Sequence, residues 1–112
     1  MKTKDELPEC PVATTVRLIG NKWKLLILRN LLARPWRFNE LRKDLEGISQ
    51  KVLTESLRQM ESDGIITRTV YPEVPPRVVY ALSELGESMR PILDAMLEWG
   101  NSYKRQSEIP KP

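Results

Sequence analysis

The spacing of apolar residues predicts two helices in the first third of the chain. Apolar side chains recur at helical intervals from Pro11, a good first helical residue, to Gly20, which ends the run. The segment 22–33, KWKLLILRNLLA, is apolar on nearly every side, which is typical of a helix at the centre of a domain. Pro35 ends this second helix, and residues 36–38 favour a short extended piece.

Two further helices are predicted, separated by a tight turn at residues 47–49. Asn39 is suited to cap the third helix, which runs to about Leu45, and Ser49 is a good N-cap for a fourth helix over about 50–63. The fourth helix has one apolar and one polar stripe. The apolar stripe is Leu53, Leu57 and Met60, and the polar stripe is Lys51, Thr54, Glu55, Arg58 and Ser62.

After Gly64 the apolar period changes from helical to alternating. Residues 65–82 therefore read as a β-hairpin with a stiff, proline-rich tip at 72–76. Ser83 is the next N-cap candidate, and a long amphipathic helix is predicted from there to about residue 103. Pro91 lies inside this helix, where it removes a backbone donor, so we expect a bend.

The last predicted helix carries an apolar seam with heptad spacing. Its residues are separated by four, three, four, three and four positions: Leu85, Met89, Ile92, Met96, Trp99 and Tyr103. A helix over 84–103 is about 30 Å long at about 1.5 Å per residue, which is longer than a small domain needs to cover its own core. The seam therefore favours contact with a second chain, the alternative being that it packs entirely on its own domain.

These elements predict a mainly α fold with a small β-hairpin, of the α+β class. With 112 residues, the chain has the length of one domain. We expect a flexible N-terminal arm over 1–9, a single domain over 10–103 whose C-terminal helix covers about 84–103, and a polar tail over 104–112.

The composition excludes most enzyme classes. The chain has no His and one Cys, so it has no imidazole base, no Cys-His pair and no His/Cys metal site. With no paired catalytic groups and no phosphate-binding loop, we expect no enzyme activity, no metal and no cofactor. One thiol forms no intrachain disulfide, and no apolar run reaches the length of a membrane span, so a cytoplasmic protein without membrane contact is expected.

Positive charge is concentrated in residues 16–58. This window holds ten Lys and Arg against four Asp and Glu, whereas the rest of the chain holds eight against eleven. A polyanion would bind on the basic part. The third helix, the tight turn and the fourth helix, followed at once by the hairpin, match a winged helix-turn-helix.

The polar stripe of the fourth helix suits the major groove of DNA. Lys51 and Arg58 can bond guanine or a phosphate, and Gln50 suits adenine. Arg37 precedes the third helix, where free backbone donors would help it bind a phosphate, and Arg77 beside the hairpin tip is placed to reach the minor groove or the backbone. The predicted DNA-binding residues are Arg37, Asn39, Ser49, Gln50, Lys51, Thr54, Glu55, Arg58 and Arg77.

Three sequence segments also indicate a family. They are GNKWK at 20–24, GISQKVLTESLR at 47–58 and PEVPPRVVYAL at 72–82. With their flanking runs they resemble the HxlR-type winged helix-turn-helix regulators, small bacterial DNA-binding proteins related to the MarR-like group. The resemblance covers about residues 10–100.

This resemblance implies a homodimer joined through N- and C-terminal dimerisation helices and bound to an inverted-repeat operator. Each subunit would supply one recognition helix, here 49–58, and one wing, here 73–77. The dimer contacts would include Val12 and Val16 of the first helix in addition to the seam of the last helix.

Cys10 is a candidate chemical sensor. It precedes Pro11 at the N-cap of the first helix, where the helix dipole stabilises negative charge, although Asp5, Glu6 and Glu9 oppose it. In HxlR-type proteins that sense oxidants, quinones or aldehydes, the responding thiol is a Cys in this position, whereas other members have no known thiol chemistry. With no second Cys in the chain, sensing would use alkylation, a mixed disulfide or a Cys10–Cys10 bond across the dimer.

The sequence thus predicts a homodimeric, sequence-specific transcription regulator. Its partners would be operator double-stranded DNA, a second copy and a small oxidant or electrophile. The alternative is a winged-helix module that binds another protein and no specific DNA. A preference for one DNA sequence over bulk DNA distinguishes the two.

Overall fold

A computed structural model describes residues 7–108, in which six helices and three strands form an α+β fold. The elements are α1 (Pro11–Ile19), α2 (Lys22–Ala33), β1 (Trp36–Arg37), α3 (Phe38–Asp44), α4 (Gln50–Ser62), β2 (Ile66–Tyr71), β3 (Arg77–Leu82), α5 (Glu84–Glu87) and α6 (Arg90–Glu108). The α+β class and the bounds of α1 and α2 confirm the predictions. Residues 1–6 of the predicted arm and 109–112 of the predicted tail lie outside the described residues.

The three strands form one antiparallel sheet in the order β1-β3-β2. In the predicted hairpin, Ile66 lies opposite Leu82 and Tyr71 lies opposite Arg77. β1 joins the other edge of β3 over two residues, so that Trp36 lies opposite Tyr80. The extended piece is thus one residue shorter than expected, because Phe38 already begins α3.

The core lies between the helices and one face of this sheet, and α2 is its centre. Ile27 and Leu28 of α2 have no exposed surface, and α2 contacts both α4 and β3. Asn21 caps α2 by accepting a hydrogen bond from the Lys24 backbone N–H at 2.9 Å. The buried apolar residues are Ile19, Ile27, Leu28, Leu31, Leu41, Leu45, Ile48, Leu53, Leu57, Met60, Ile65, Ile66, Tyr80 and Met89.

The start of α3 differs from the expectation. Arg37, and not Asn39, is the N-cap, so Asn39 lies inside the first turn. The backbone N–H of Arg37 donates to Oε1 of Glu40 at 2.8 Å. The capping bond at this end is therefore made by a carboxylate that reaches back from the third helical residue, and the short side chain of Asn39 is not needed for it.

The C-terminal helix also differs, because it is two helices and not one bent helix. α5 ends at Glu87 and α6 begins at Arg90, so Pro91 lies in the first turn of α6. A first-turn proline removes a donor that would have no intrahelical partner, so this position favours starting a helix over bending one. α6 continues to Glu108, which makes residues 104–108 of the predicted tail helical.

Ser83 and Gly86 hold α5 against the end of the hairpin. The Ser83 hydroxyl lies 2.6 Å from the carbonyl oxygen of Gly64 and 2.9 Å from that of Ile65, and its oxygen accepts from the Gly86 backbone N–H at 3.1 Å. A Cβ on Gly86 would overlap the Ile65 carbonyl oxygen and would lie 2.9 Å from Cδ2 of Leu82. The close approach of two backbone segments therefore requires glycine at residue 86.

We predict that Gly86→Ala destabilises the fold by about 1–3 kcal/mol, because the new methyl group must displace backbone. Urea unfolding followed by circular dichroism at one fixed protein concentration measures this change. Gly100→Ala is the matched control, since a Cβ there meets nothing within 4 Å, and it should stabilise α6 by up to about 1 kcal/mol. Equal effects of the two substitutions would contradict the packing argument.

Candidate nucleic-acid interface

The turn between α3 and α4 sets the angle between these helices. Gly47 has a φ of +92°, a left-handed conformation that disfavours other residues. The Ile48 backbone N–H donates to the Leu45 carbonyl at 3.1 Å, and both side chains are buried. The turn is therefore closed by a backbone hydrogen bond and anchored in the core, which fixes where α4 begins.

α4 has the two faces that its sequence predicts. The Ser49 hydroxyl caps it by accepting from the Val52 backbone N–H at 3.1 Å. The apolar stripe Leu53, Leu57 and Met60 is buried. The predicted contact residues Ser49, Gln50, Lys51, Glu55 and Arg58 are exposed, and Thr54 is half-buried. One side of the helix is thus anchored and the other presents donors and acceptors to solvent.

At the start of α3, groups that could bind a phosphate already have a partner within the protein. Arg37 and Asn39 are exposed, but the backbone donor of Arg37 is already bonded to Glu40. This hydrogen bond lowers the pKa of the Glu40 carboxyl below its ordinary value, and the charge of Arg34 lowers that pKa further. The Glu40 carboxylate lies 3.6 Å from Nη1 of Arg34. A phosphate at this helix end would therefore meet a carboxylate as well as cations.

Arg77 lies beside the tip of the hairpin, where it is paired with Tyr71 at the last position before the turn. It is the first residue of β3, and its guanidinium carbon lies 4.0 Å from the centroid of the Tyr71 ring. Its Nη2 lies 3.2 Å from Oε1 of Glu73. These contacts restrain the side chain beside the proline-rich segment, and the fully exposed Val74 occupies the tip.

A cavity of about 440 Å³ lies between the exposed side of α4 and the sheet, and its lining includes a residue that was not among the predicted contacts. Arg58 and Thr54 of α4 and Arg68 of β2 line it, together with Glu61. Arg68 shares its strand face with Ile66 and Val70 in the alternating pattern, and it lies opposite Tyr80 in β3. A charged residue at an apolar position of a strand is the signal that could have identified it.

The terminal helices expose a row of large apolar side chains. They are Val12 and Val16 of α1 and Ile92, Met96, Leu97, Trp99 and Tyr103 of α6, with Trp99 69% exposed, and Leu85 of α5 is exposed as well. The rings of Trp99 and Tyr103 stack with centroids 5.4 Å apart. Met89, which the heptad spacing assigns to the same seam, is instead 8% exposed and belongs to the core, because the break before α6 turns it inward.

Cys10 is the N-cap of α1, as the position of Pro11 predicts, and it is exposed. Its carbonyl oxygen accepts from the Thr14 backbone N–H at 3.0 Å and lies 3.2 Å from the Thr14 hydroxyl. The thiol makes no capping hydrogen bond. The backbone at Cys10 is therefore held while the sulfur faces solvent.

Two other site types are absent from the part of the chain that the structure describes. No helix there is long and apolar enough to cross a membrane. Over the same residues, no group of three or more Cys, Asp or Glu side chains is arranged to hold a metal ion.

The profile of the HxlR-like helix-turn-helix family matches residues 18–108. The chain belongs to this family. An uncharacterized HTH-type transcriptional regulator of Methanothermobacter thermautotrophicus is 50% identical over 99 residues, which are 88% of this chain and 76% of the relative. The uncharacterized HTH-type transcriptional regulator YdeP of Bacillus subtilis is 45% identical over 102 residues, covering 91% of this chain and 80% of YdeP.

Solved structures of the redox regulator HypR have the same fold as this HxlR-like protein. The reduced form superposes with a TM-score of 0.84 at 42% identity, over 88% of this chain and 98% of HypR. The oxidized form superposes with a TM-score of 0.80 at 45% identity, over 83% and 96%. The winged-helix fold and the HxlR resemblance are thereby confirmed, and the chain is a transcriptional regulator of the helix-turn-helix type.

Proposed function

We propose that this HxlR-like protein regulates transcription as a homodimer bound to an inverted-repeat DNA operator. The observation that carries the proposal is the division of α4, whose apolar stripe is buried while Lys51, Glu55 and Arg58 are exposed. A helix with one anchored side and one polar side can enter the major groove without losing its place in the core. The relatives named as HTH-type transcriptional regulators support this reading.

In this proposal the first turns of α4 read base edges. Ser49 uses its side chain to cap the helix, which leaves Gln50 and Lys51 to reach the bases. Arg58 and Arg68, which line one cavity between α4 and the wing, would flank a backbone phosphate. Phosphate contacts of this kind position a protein on DNA and make its affinity depend on salt.

Dimerisation would bury the exposed apolar row of the terminal helices. Exposed apolar surface on a soluble protein marks interaction sites, and large apolar side chains are exposed here both on α1, at Val12 and Val16, and on α6, at Trp99 and Tyr103. A two-fold axis between protomers presents two α4 helices in opposite directions, which matches the symmetry of an inverted repeat.

Cys10 would be the switch of this regulator. The thiol is exposed at the start of α1, which is one of the helices assigned to the dimer interface, and the similar protein HypR is a redox regulator. Oxidation or alkylation at this position would change contacts between protomers and so the spacing of the two α4 helices.

We predict that Lys51→Ala weakens operator binding by about 1–3 kcal/mol, or roughly tenfold to a hundredfold, because it removes a base contact, and that Arg58→Ala weakens binding to all DNA sequences alike, because it removes a phosphate contact. The operator is first selected from genomic fragments with purified protein, and affinity is then measured by fluorescence anisotropy. The matched control is Arg105→Ala, an exposed cation on α6, which should leave affinity unchanged.

The operator affinity of the wild type is also measured as a function of salt concentration. If each protomer neutralises about four phosphates, log affinity falls with log salt at a slope of roughly −7. Unchanged affinity in both α4 variants would mean that another element lies in the groove. Equal binding to operator and bulk DNA would instead favour the protein-binding alternative.

We predict that Trp99→Glu converts the dimer to a monomer, because it places a charge in the apolar interface. Sedimentation velocity of both proteins measures the assembly state. The variant should keep its circular dichroism spectrum, since Trp99 is largely exposed within the protomer, and Glu98→Gln next to it should remain dimeric. A monomeric wild type, or a Trp99→Glu variant that stays dimeric, would contradict the assignment.

We predict that a thiol oxidant changes the operator affinity of the wild type and leaves that of Cys10→Ser unchanged. The chain has no other Cys, so the substitution removes all thiol chemistry. Intact-protein mass spectrometry in the same samples identifies the adduct or the disulfide-linked dimer. An identical oxidant response of both proteins would eliminate Cys10 as the switch.

A further inference from the structure

We propose that a cavity bounded by α1, α2 and the C-terminal end of α4 binds a small oxyanion, with Lys24 as its central cation. The cavity has a volume of about 370 Å³ and is lined by Arg17, Leu18, Lys24, Gln59, Ser62 and Asp63. This volume lies within the range of small-molecule sites in proteins. It lies at the C-terminal end of α4, and none of its lining residues belongs to the predicted DNA-binding set.

The burial of Lys24 carries the proposal. Only 7% of this residue is exposed, although lysine is rarely buried without a partner. Among residues 7–108 its ammonium group forms no ion pair. No buried side-chain nitrogen or oxygen of the described residues lacks a hydrogen-bond partner, so the Nζ of Lys24 keeps contact with solvent, and Lys24 lines the cavity.

The other lining groups favour an anion over a cation. Gln59 and Ser62 add neutral donors beside the cations Lys24 and Arg17, and Asp63 has the one carboxylate among the described lining residues. Carboxylates and phosphates form short, charge-assisted hydrogen bonds with such cations. Asp63 is also the C-cap of α4, where the helix dipole is negative, so this side of the cavity weakens the binding of an anion.

An anion in this cavity would contact both α1 and α4. On the proposed function, α1 belongs to the dimer interface and α4 to the DNA contact, so the occupant would lie between the two. Binding of the anion does not require DNA.

Isothermal titration of the full-length protein with inorganic phosphate and, separately, with acetate tests the site. We expect saturable binding of at least one probe, and the probe that binds tighter distinguishes phosphate from carboxylate recognition. Lys24→Met keeps the length of the buried stem without the charge and should lower affinity at least tenfold. Lys43→Met, at an exposed lysine outside the cavity, should leave it unchanged.

The substitution Asp63→Asn should change the anion affinity in the direction opposite to Lys24→Met. It removes the opposing charge and should raise anion affinity severalfold, which a purely structural role of Lys24 would not produce. If Lys24→Met does not fold, Ser62→Asp adds a carboxylate at an exposed lining residue and should abolish binding. Binding of neither probe, or equal binding by the wild type and the cavity variants, would overturn the proposal. Because no operator is present, this outcome is independent of DNA recognition.

Discussion

The rest of the structure depends on the burial of the apolar stripe of α4 against α2 and the sheet. Leu53 and Met60 of α4 and Ile27 and Leu28 of α2 have no exposed surface, and α4 also contacts β2. Removing these side chains from water stabilises the protomer and at the same time holds α4 in one rotation about its axis. Since side chains at every third or fourth position share a face, that rotation directs the polar stripe outward. The same packing thus provides both stability and the candidate DNA-binding surface.

Ion pairs reduce the positive charge that residues 16–58 present near α3. Two of the four acids in the basic window form ion pairs with nearby cations, Asp44 with Arg29 at 3.7 Å and Glu40 with Arg34 at 3.6 Å. These pairs are largely exposed, so they contribute little to stability, but they lower the positive potential beside α3. On the proposed function, the cations of α4 and the wing therefore carry more of the DNA contact than those at the start of α3.

The break between α5 and α6 divides the apolar residues of the C-terminal part of the chain into a buried and an exposed group. Ser83 and Gly86 fix α5 to the end of the hairpin, and the interruption before α6 places Met89 in the protomer core. Beyond it, Trp99 and Tyr103 remain exposed. A continuous heptad seam in the sequence is therefore not a continuous surface, and only its later part is left for a partner.

Local signals in the sequence determined most of the elements, because periodicity, caps and prolines act over a few residues. They located α1, α2, α4 and the hairpin, as well as the polar face of α4. The predicted cap of α3 was wrong, because Glu40 reaches back to the backbone of Arg37 and Asn39 is not the N-cap. The predicted bend at Pro91 was also wrong, because this proline lies in the first turn of a new helix. Only the tertiary structure brought Arg58 to the cavity of Arg68 and buried Lys24 beside Asp63, because these neighbours lie on different elements and their proximity follows from how the core packs.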